Sequence, residues 1–123
     1  MKKNIAIILS LIFILIGCSS GEERVVSKLK SEVEGKYSIV IFDDKSISGE
    51  FQQRINNDLM DANKLWDKVP SLSYIIVDEN SSHDFDYKEV LSLSEFPEIF
   101  VFDNKGIVLR TNKVEDLEEL LLN

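Results

Sequence analysis

Hydrophobic positions along this chain follow two alternating patterns that together predict an α/β fold. Tyr37–Phe42 and Tyr74–Val77 are almost continuously apolar, which is typical of strands covered on both faces. Phe96–Thr111 contains two more apolar runs on either side of Asn104-Lys105-Gly106, and this combination predicts a hairpin. The two hairpin strands must be antiparallel because the turn is too short for a crossover connection.

Between these strands, apolar residues recur at the spacing of an α-helix. A first helix is predicted over about Glu23–Glu34, and a short one around Asp86–Leu91. Asn112 and Glu115 fit a capping box that starts the last helix. The longest helix has an apolar stripe, expected in the core, made of Phe51, Ile55, Leu59, Ala62, Trp66 and Val69. Strands separated by helices favour parallel pairing, so a mixed sheet is expected.

The first 17 residues have the anatomy of a secretory signal. Lys2 and Lys3 precede an apolar stretch, Ile5–Ile16, which is shorter than the roughly 20 residues that a membrane span needs. Leu15-Ile16-Gly17-Cys18 closely resembles a bacterial lipobox, which implies diacylglyceryl transfer to the Cys18 sulfur and cleavage before Cys18. The alternative is a plain signal peptide that happens to contain a cysteine.

Three segments follow from this interpretation: a lipoprotein signal peptide at 1–17, a lipidated tether at 18–23, and one domain at 24–123. Cys18 is the only cysteine, so its acylation leaves the mature chain without a free thiol. Signal removal leaves 12 basic and 22 acidic side chains, a formal charge of −10. Nucleic acid and anionic headgroups repel such a surface, so we expect no nucleic-acid partner and an extracytoplasmic domain held at the bacterial cell membrane by its lipid.

The order of the predicted elements, with Phe96-Pro97 opening the third strand, resembles the thioredoxin fold over nearly the whole mature chain. The resemblance implies an α/β, thioredoxin-like domain with a central mixed four-stranded sheet flanked by helices. It also implies that the Phe96–Pro97 bond is cis and lies opposite the loop after the first core strand. The commoner alternative is a trans proline at the start of an edge strand.

The sulfur chemistry of that family is missing from this chain. By resemblance, its two cysteines would fall near Ser46 and Gly49, and its buried acidic residue near Val40. Thiol–disulfide exchange requires a thiolate, so we exclude dithiol oxidoreductase activity, and we expect no cofactor.

The same resemblance implies a candidate binding surface. Thioredoxin-like proteins hold extended peptides with the loops around the cis-proline. The equivalent surface here consists of Asp43, Asp44, Ser46, Ser48, Glu95, Phe96 and Pro97. Its acidity favours a cationic peptide, protein or cell-wall partner.

Two other kinds of site compete with this one. Ser46 or Ser48 could act as a nucleophile with His83 as its base, although Ser48 is better placed to cap a helix. The acidic stretch 78–86 offers Asp78, Asp84 and Asp86 as weak candidate ligands for calcium. It lacks the glycine turn and the distal glutamate of a calcium loop, so a hydrated loop is the simpler interpretation.

These observations favour a redox-inactive, thioredoxin-like lipoprotein that acts as a binding or accessory module at the bacterial cell envelope. An envelope lipoprotein of this size also resembles the small peptidoglycan-associated lipoproteins, an association at the level of the family. The alternatives are a calcium-dependent or non-cysteine enzyme of the cell surface, and a subunit with a purely structural role at the membrane.

Overall fold

The computed structural model describes residues 21–80 and 82–123. Cys18 and the predicted signal peptide lie outside these residues. The elements are α1 (21–29), β1 (Ser38–Asp43), α2 (Gly49–Gln53) continued by a π-helix (Arg54–Asp61), β2 (Ser71–Ile76), α3 (Tyr87–Val90), β3 (Glu98–Phe102), β4 (Ile107–Thr111) and α4 (Val114–Leu122). No helix in this part of the chain is long and apolar enough to cross a bilayer.

The four strands form one mixed sheet in the order β2-β1-β3-β4. β1 and β2 are parallel, with Ile41 opposite Tyr74, and β3 and β4 are antiparallel, with Val101 opposite Leu109. The π-helix and α4 pack on one face of the sheet, and α1 and α3 pack on the other. The predicted α/β fold with a mixed four-stranded sheet flanked by helices is confirmed.

β3 runs antiparallel to β1, although a helix separates β3 from β2 and the general rule favours parallel pairing. The 21 residues between β2 and β3 begin and end at the same edge of the sheet, because Asp43 of β1 faces Ile76 and its neighbour Phe42 faces Glu98. β3 starts at that same edge and must run back.

The central strands β1 and β3 are the most buried part of the molecule. Ile99 and Val101 of β3 join the cluster under the π-helix and α4, while Phe100 and Phe102 join the cluster under α1 and α3. Successive side chains of a strand point to opposite faces, so both faces of β3 are covered. Phe100 also meets Phe42 of β1 edge to face, with 5.4 Å between ring centroids. Burying each such ring contributes about 1.5–3 kcal/mol.

The second strand differs from its prediction. A fully covered strand was expected at Tyr74–Val77, but β2 spans Ser71–Ile76 and lies at an edge of the sheet. Ser71 and Ser73 are exposed. The prediction that this strand is covered on both faces was wrong. A short apolar run can occur in a central strand or in an edge strand, and its composition does not distinguish the two positions.

Helix α1 ends five residues earlier than predicted. The Ser31 N–H donates to the carbonyl of Asp103 at 3.0 Å, and this bond turns the chain towards β1. Val33, inside the predicted helix, is 47% exposed, whereas Val25 is fully buried. At its other end, α1 already contains residues 21–23, which were expected in the tether.

The predicted long helix changes its pitch after one turn. Arg54–Asp61 is π-helical, and beyond it the Leu65 N–H donates to the Met60 carbonyl five residues earlier. Ile55, Met60 and Leu65, spaced by five, are therefore buried. The predicted stripe, drawn at α-helical spacing, was wrong at Ala62 and Trp66, which are both exposed.

The hairpin turn forms as predicted. The Asp103 carboxylate accepts hydrogen bonds from the N–H groups of Lys105 at 2.8 Å and Gly106 at 2.9 Å. These two backbone donors lower the pKa of Asp103. The turn is therefore closed by a side chain that immediately precedes the residues used to predict it.

An ion pair joins the start of β3 to β4. The Glu98 carboxylate is buried, and Arg110 donates to it from β4 through its Nε. The same guanidinium lies 4.8 Å from the centroid of the Phe100 ring and donates to the carbonyl of Ser92 at 3.2 Å. Arg110 thus ties the loop before β3 to the hairpin.

Arg110→Met should lower the free energy of unfolding by about 2–3 kcal/mol, because it leaves the Glu98 carboxylate buried without its partner. Denaturant unfolding monitored by circular dichroism measures this change. Glu98→Gln added to Arg110→Met should recover part of the loss, since no charge then remains buried. Equal instability of the single and double variants would contradict the role assigned to the ion pair.

Candidate functional site

Three loops meet at the edge of the sheet where β1 and β2 end. β1 ends at Asp43, opposite Ile76 at the end of β2. Phe42 pairs with Glu98, the first residue of β3, so the loop before β3 lies at the same edge. The β1–α2 loop, the acidic loop after β2 and the loop before β3 therefore become neighbours.

The β1–α2 loop is held by its own side chains. The Asp43 carboxylate accepts the N–H of Asp44 at 2.7 Å and that of Lys45 at 3.4 Å. Burial raises the pKa of Asp43, and the backbone donors only partly oppose that rise. Ser48 caps α2 as predicted, accepting the N–H of Phe51 at 3.2 Å. Ser46 is exposed in the same loop.

An open cleft of about 770 Å³ separates the β1–α2 loop from the loop after β2. We call it the acidic cleft. Its lining residues are Asp44, Lys45, Val77, Asp78, Glu79, Asn80, Ser82, His83, Phe85, Asp86, Tyr87 and Lys88. Four carboxylates and two lysines give this lining a net negative charge.

Helix α1 supports the aromatic side of the cleft. The Arg24 guanidinium and the Lys28 ammonium lie over the Phe85 ring, at 5.7 and 5.4 Å from its centroid. Lys28 also donates to the Asp84 carboxylate at 2.8 Å, and this bond lowers the pKa of Asp84. Asp84 is therefore turned towards α1 and is absent from the lining of the cleft.

His83 is anchored to the backbone of β2. Its Nε2 lies 2.7 Å from the Ile76 carbonyl, and a carbonyl oxygen only accepts, so Nε2 carries the proton. The ring also lies 5.6 Å from that of Tyr87. As a base for the hydroxyl of Ser46 or Ser48, His83 would have only Nδ1, and Ser48 already caps α2.

The loop before β3 is fixed from the far side of the hairpin. The Phe96–Pro97 peptide bond is cis, in agreement with the expectation. The Asn112 side chain donates from Nδ2 to the carbonyls of Glu95 at 2.8 Å and Pro97 at 3.1 Å. Asn112 was predicted to cap α4 with Glu115, and this prediction was wrong because its amide serves the other loop.

The caps and ion pairs around α4 explain the error. The residue before α4 is Lys113, whose N–H donates to the Thr111 hydroxyl at 3.1 Å. Glu115 instead accepts from the Arg54 guanidinium at 3.0 Å. No local pattern marks Asn112 as a partner of residues that lie fifteen and seventeen positions earlier in the chain.

The predicted site residues divide into two groups. Asp44 lines the acidic cleft together with Asp78 and Asp86. Glu95, Phe96 and Pro97 lie at the same edge of the sheet, but they and the two serines, Ser46 and Ser48, are absent from that lining. The sequence predicts a recognition surface shared by the β1–α2 loop and the proline loop, with 78–86 as a separate site. Of that surface only Asp44 lines the cleft, and Asp43 does not.

The candidate calcium ligands point to different partners. Asp78 accepts the N–H of Asn80 at 3.1 Å, Asp86 caps α3 through the N–H of Glu89 at 3.3 Å, and Asp84 binds Lys28. Within residues 21–80 and 82–123, no three His, Cys, Asp or Glu side chains converge as metal ligands would.

Asn112→Ala should loosen the loop before β3, because it removes two hydrogen bonds that hold the Glu95 and Pro97 carbonyls. We expect a loss of about 1–2 kcal/mol in stability and faster amide exchange around Phe96. Hydrogen exchange followed by NMR measures the second effect. Asn104→Ala in the hairpin turn is the matched control, and equal exchange at Phe96 in both variants would contradict the assignment.

No protein-family model matches this chain, and no curated protein is detectably similar to it in sequence.

Proposed function

We propose that this protein is a redox-inactive, thioredoxin-like binding module that holds a cationic polypeptide segment in the acidic cleft. The observation that carries the proposal is the cleft itself, whose lining holds four carboxylates against two lysines. Carboxylates attract lysine and arginine, and the half-buried Phe85 ring beside them already receives Arg24 and Lys28 of the protein itself.

The thioredoxin-like assignment is supported by the connectivity of the sheet. Its order, β2-β1-β3-β4 with a parallel first pair and an antiparallel hairpin, is the order that a thioredoxin-like core requires. Ser46 and Gly49 stand where the cysteines of that family would lie, and the buried, apolar Val40 stands where its acidic residue would lie. A module with this arrangement acts by binding.

The ligand proposed is an extended, lysine-rich or arginine-rich segment. Asp44 and Glu79 lie on the β1 and β2 sides of the cleft, so consecutive basic side chains of such a segment meet both walls. Lys45 and Lys88 also line the cleft, so only part of its surface is negative. Contacts of this exposed kind are screened by salt, so affinity should fall as ionic strength rises.

Glu79→Lys should weaken the binding of an oligolysine peptide about five- to tenfold, because it reverses one charge on the rim of the cleft. Isothermal titration at low and at high salt measures the change. Glu119→Lys on α4 is the matched control. It makes the same change in net charge at an exposed residue that does not line the cleft. Equal weakening by both variants would show that only the overall charge of the protein matters.

A thermal-unfolding experiment tests the alternative of a calcium-dependent protein. Calcium is added in place of the peptide, and the midpoint of thermal unfolding is recorded. A clear rise in the midpoint would favour the metal-dependent alternative, since a ligand of the native state stabilises it.

We also propose that the module is a lipoprotein, anchored through Cys18 outside the cytoplasm of a bacterial cell. The support comes from the sequence around the lipobox. Because α1 already begins by residue 21, only Ser19 and Ser20 separate Cys18 from the described helix. A span of three residues reaches about 11 Å at most, so the lipid would hold the domain close to the membrane surface.

Cys18→Ser should abolish labelling of the chain by a radioactive fatty acid and should leave residues 1–17 attached, because the acylated sulfur directs the cleavage. Labelling in growing bacteria and mass spectrometry of the product measure the two effects. Ser19→Ala is the control and should be processed normally. A mature chain cleaved elsewhere and free of lipid would identify a plain signal peptide.

A further inference from the structure

The two edges of the sheet are built differently. The β4 edge carries the charge of Arg110, and its pairing with β3 is interrupted by an irregularity between Val101 and Phe102. Charges and bulges are the devices by which edge strands avoid pairing with other chains. β2, Ser71–Ile76, contains no charged residue and no proline, and its pairing with β1 is continuous. β2 therefore lacks both devices, and among its outward groups the Ile76 carbonyl is contacted by His83.

The register shows which backbone groups of β2 face outwards. The Val77 N–H donates to the Asp43 carbonyl at 2.8 Å, so Val77, and by alternation Ile75 and Ser73, direct their backbone groups towards β1. The N–H and C=O groups of Leu72, Tyr74 and Ile76 consequently point away from the sheet. The contact of His83 with the Ile76 carbonyl agrees with this orientation.

A groove runs along the same edge on the side of α1. It has a volume of about 430 Å³ and lies between the end of α1 and the first half of β2. Ser71 and Ser73 form one side of it, Leu29 and Val33 the other, and Val40 is among its lining residues. Side chains of a strand added to β2 can therefore enter a preformed space beside Ser73.

The charges around β2 are opposite at its two ends. Near its start, the groove is lined by Lys28, Lys30 and Glu32, a net positive set. Lys68 lies just before the strand and donates to the Leu121 carbonyl at 3.1 Å. Lys36 pairs with Asp67 nearby, and these two charges cancel. After its end, Asp78 and Glu79 are both acidic. An antiparallel copy of the same strand would bring each acidic end next to a basic end.

We propose that β2 pairs with β2 of a second copy of this chain, giving a two-fold dimer with a continuous eight-stranded sheet. The outward groups select an antiparallel register in which Tyr74 faces Tyr74 of the other copy and Leu72 faces Ile76. Three residues of each strand then exchange hydrogen bonds across the axis. The Ile76 carbonyl can accept from Leu72 as well as from His83, because it has two lone pairs.

This register matches the charges. It places Asp78 and Glu79 of one copy opposite Pro70 and Val69 of the other, next to Lys68. A second copy in this orientation pairs with the free edge of β2, places side chains in the groove and brings opposite charges together. Asp78 and Glu79 also line the acidic cleft, so the two surfaces adjoin. The mass of the chain without any peptide tests the dimer alone, so the inference does not depend on the proposed function.

Sedimentation equilibrium of the full chain in detergent tests the proposal, with the wild-type mass expected at twice that of one chain. Ser73→Lys should raise the dissociation constant about tenfold or more, because it places a charge on the pairing edge. Val108→Lys, on the exposed side of β4, is the matched control and should leave the dimer intact. Circular dichroism should show that both variants remain folded.

Tyr74→Cys provides an independent test, because the two introduced sulfurs would meet at the two-fold axis. Mild oxidation should link this variant into dimers much faster than Val108→Cys, with the wild-type chain reporting any background from Cys18. A monomer at all concentrations, equal effects of Ser73→Lys and Val108→Lys, or equal cross-linking of both cysteine variants would overturn the proposal. So would a monomer that captures an extended peptide at this edge.

Discussion

The antiparallel pairing of β1 with β3 is the interaction on which the rest of this structure depends. Both strands are buried on two faces, and their side chains alternate between the two hydrophobic clusters. Each backbone hydrogen bond between them is shielded from water, where an unmade bond costs about 1–3 kcal/mol. Loss of this pairing would therefore open both clusters at once.

The position of the candidate site follows from the same pairing. Phe42 faces Glu98 and Asp43 faces Ile76, so the register alone brings three loops to one edge of the sheet. The loops are then held by contacts with distant elements, from α1 through Lys28 and from the end of the hairpin through Asn112. The candidate surface is thus formed by irregular segments, but its geometry is set by the regular elements beneath them.

The acidic excess of the chain has more than one structural use. Some carboxylates are matched by bases, as in the contacts of Asp84 with Lys28 and Glu115 with Arg54. Others close turns or cap helices, as Asp103 and Asp86 do. The cleft gathers Asp44, Asp78, Glu79 and Asp86 between the β1–α2 loop and the segment after β2. The net charge of the whole molecule does not reveal this local arrangement.

Local chemistry was enough to predict the two central strands, the hairpin turn, the Ser48 cap and the short helix α3. These depend on side-chain alternation, turn residues and caps, all of which act over a few positions. The sequence also located Asp44, Asp78 and Asp86 as acidic candidates, although on separate surfaces.

Other features depend on contacts between segments that are distant in the sequence, and local patterns do not predict them. The helix after Ser48 takes π-helical spacing, which buries Met60 and Leu65 and leaves Trp66 exposed, and α1 ends where Ser31 meets Asp103. Asn112 leaves the helix that it could have capped and bonds the proline loop instead. In each case a hydrogen bond or packing contact with a remote segment outweighs a local preference worth only about 1 kcal/mol.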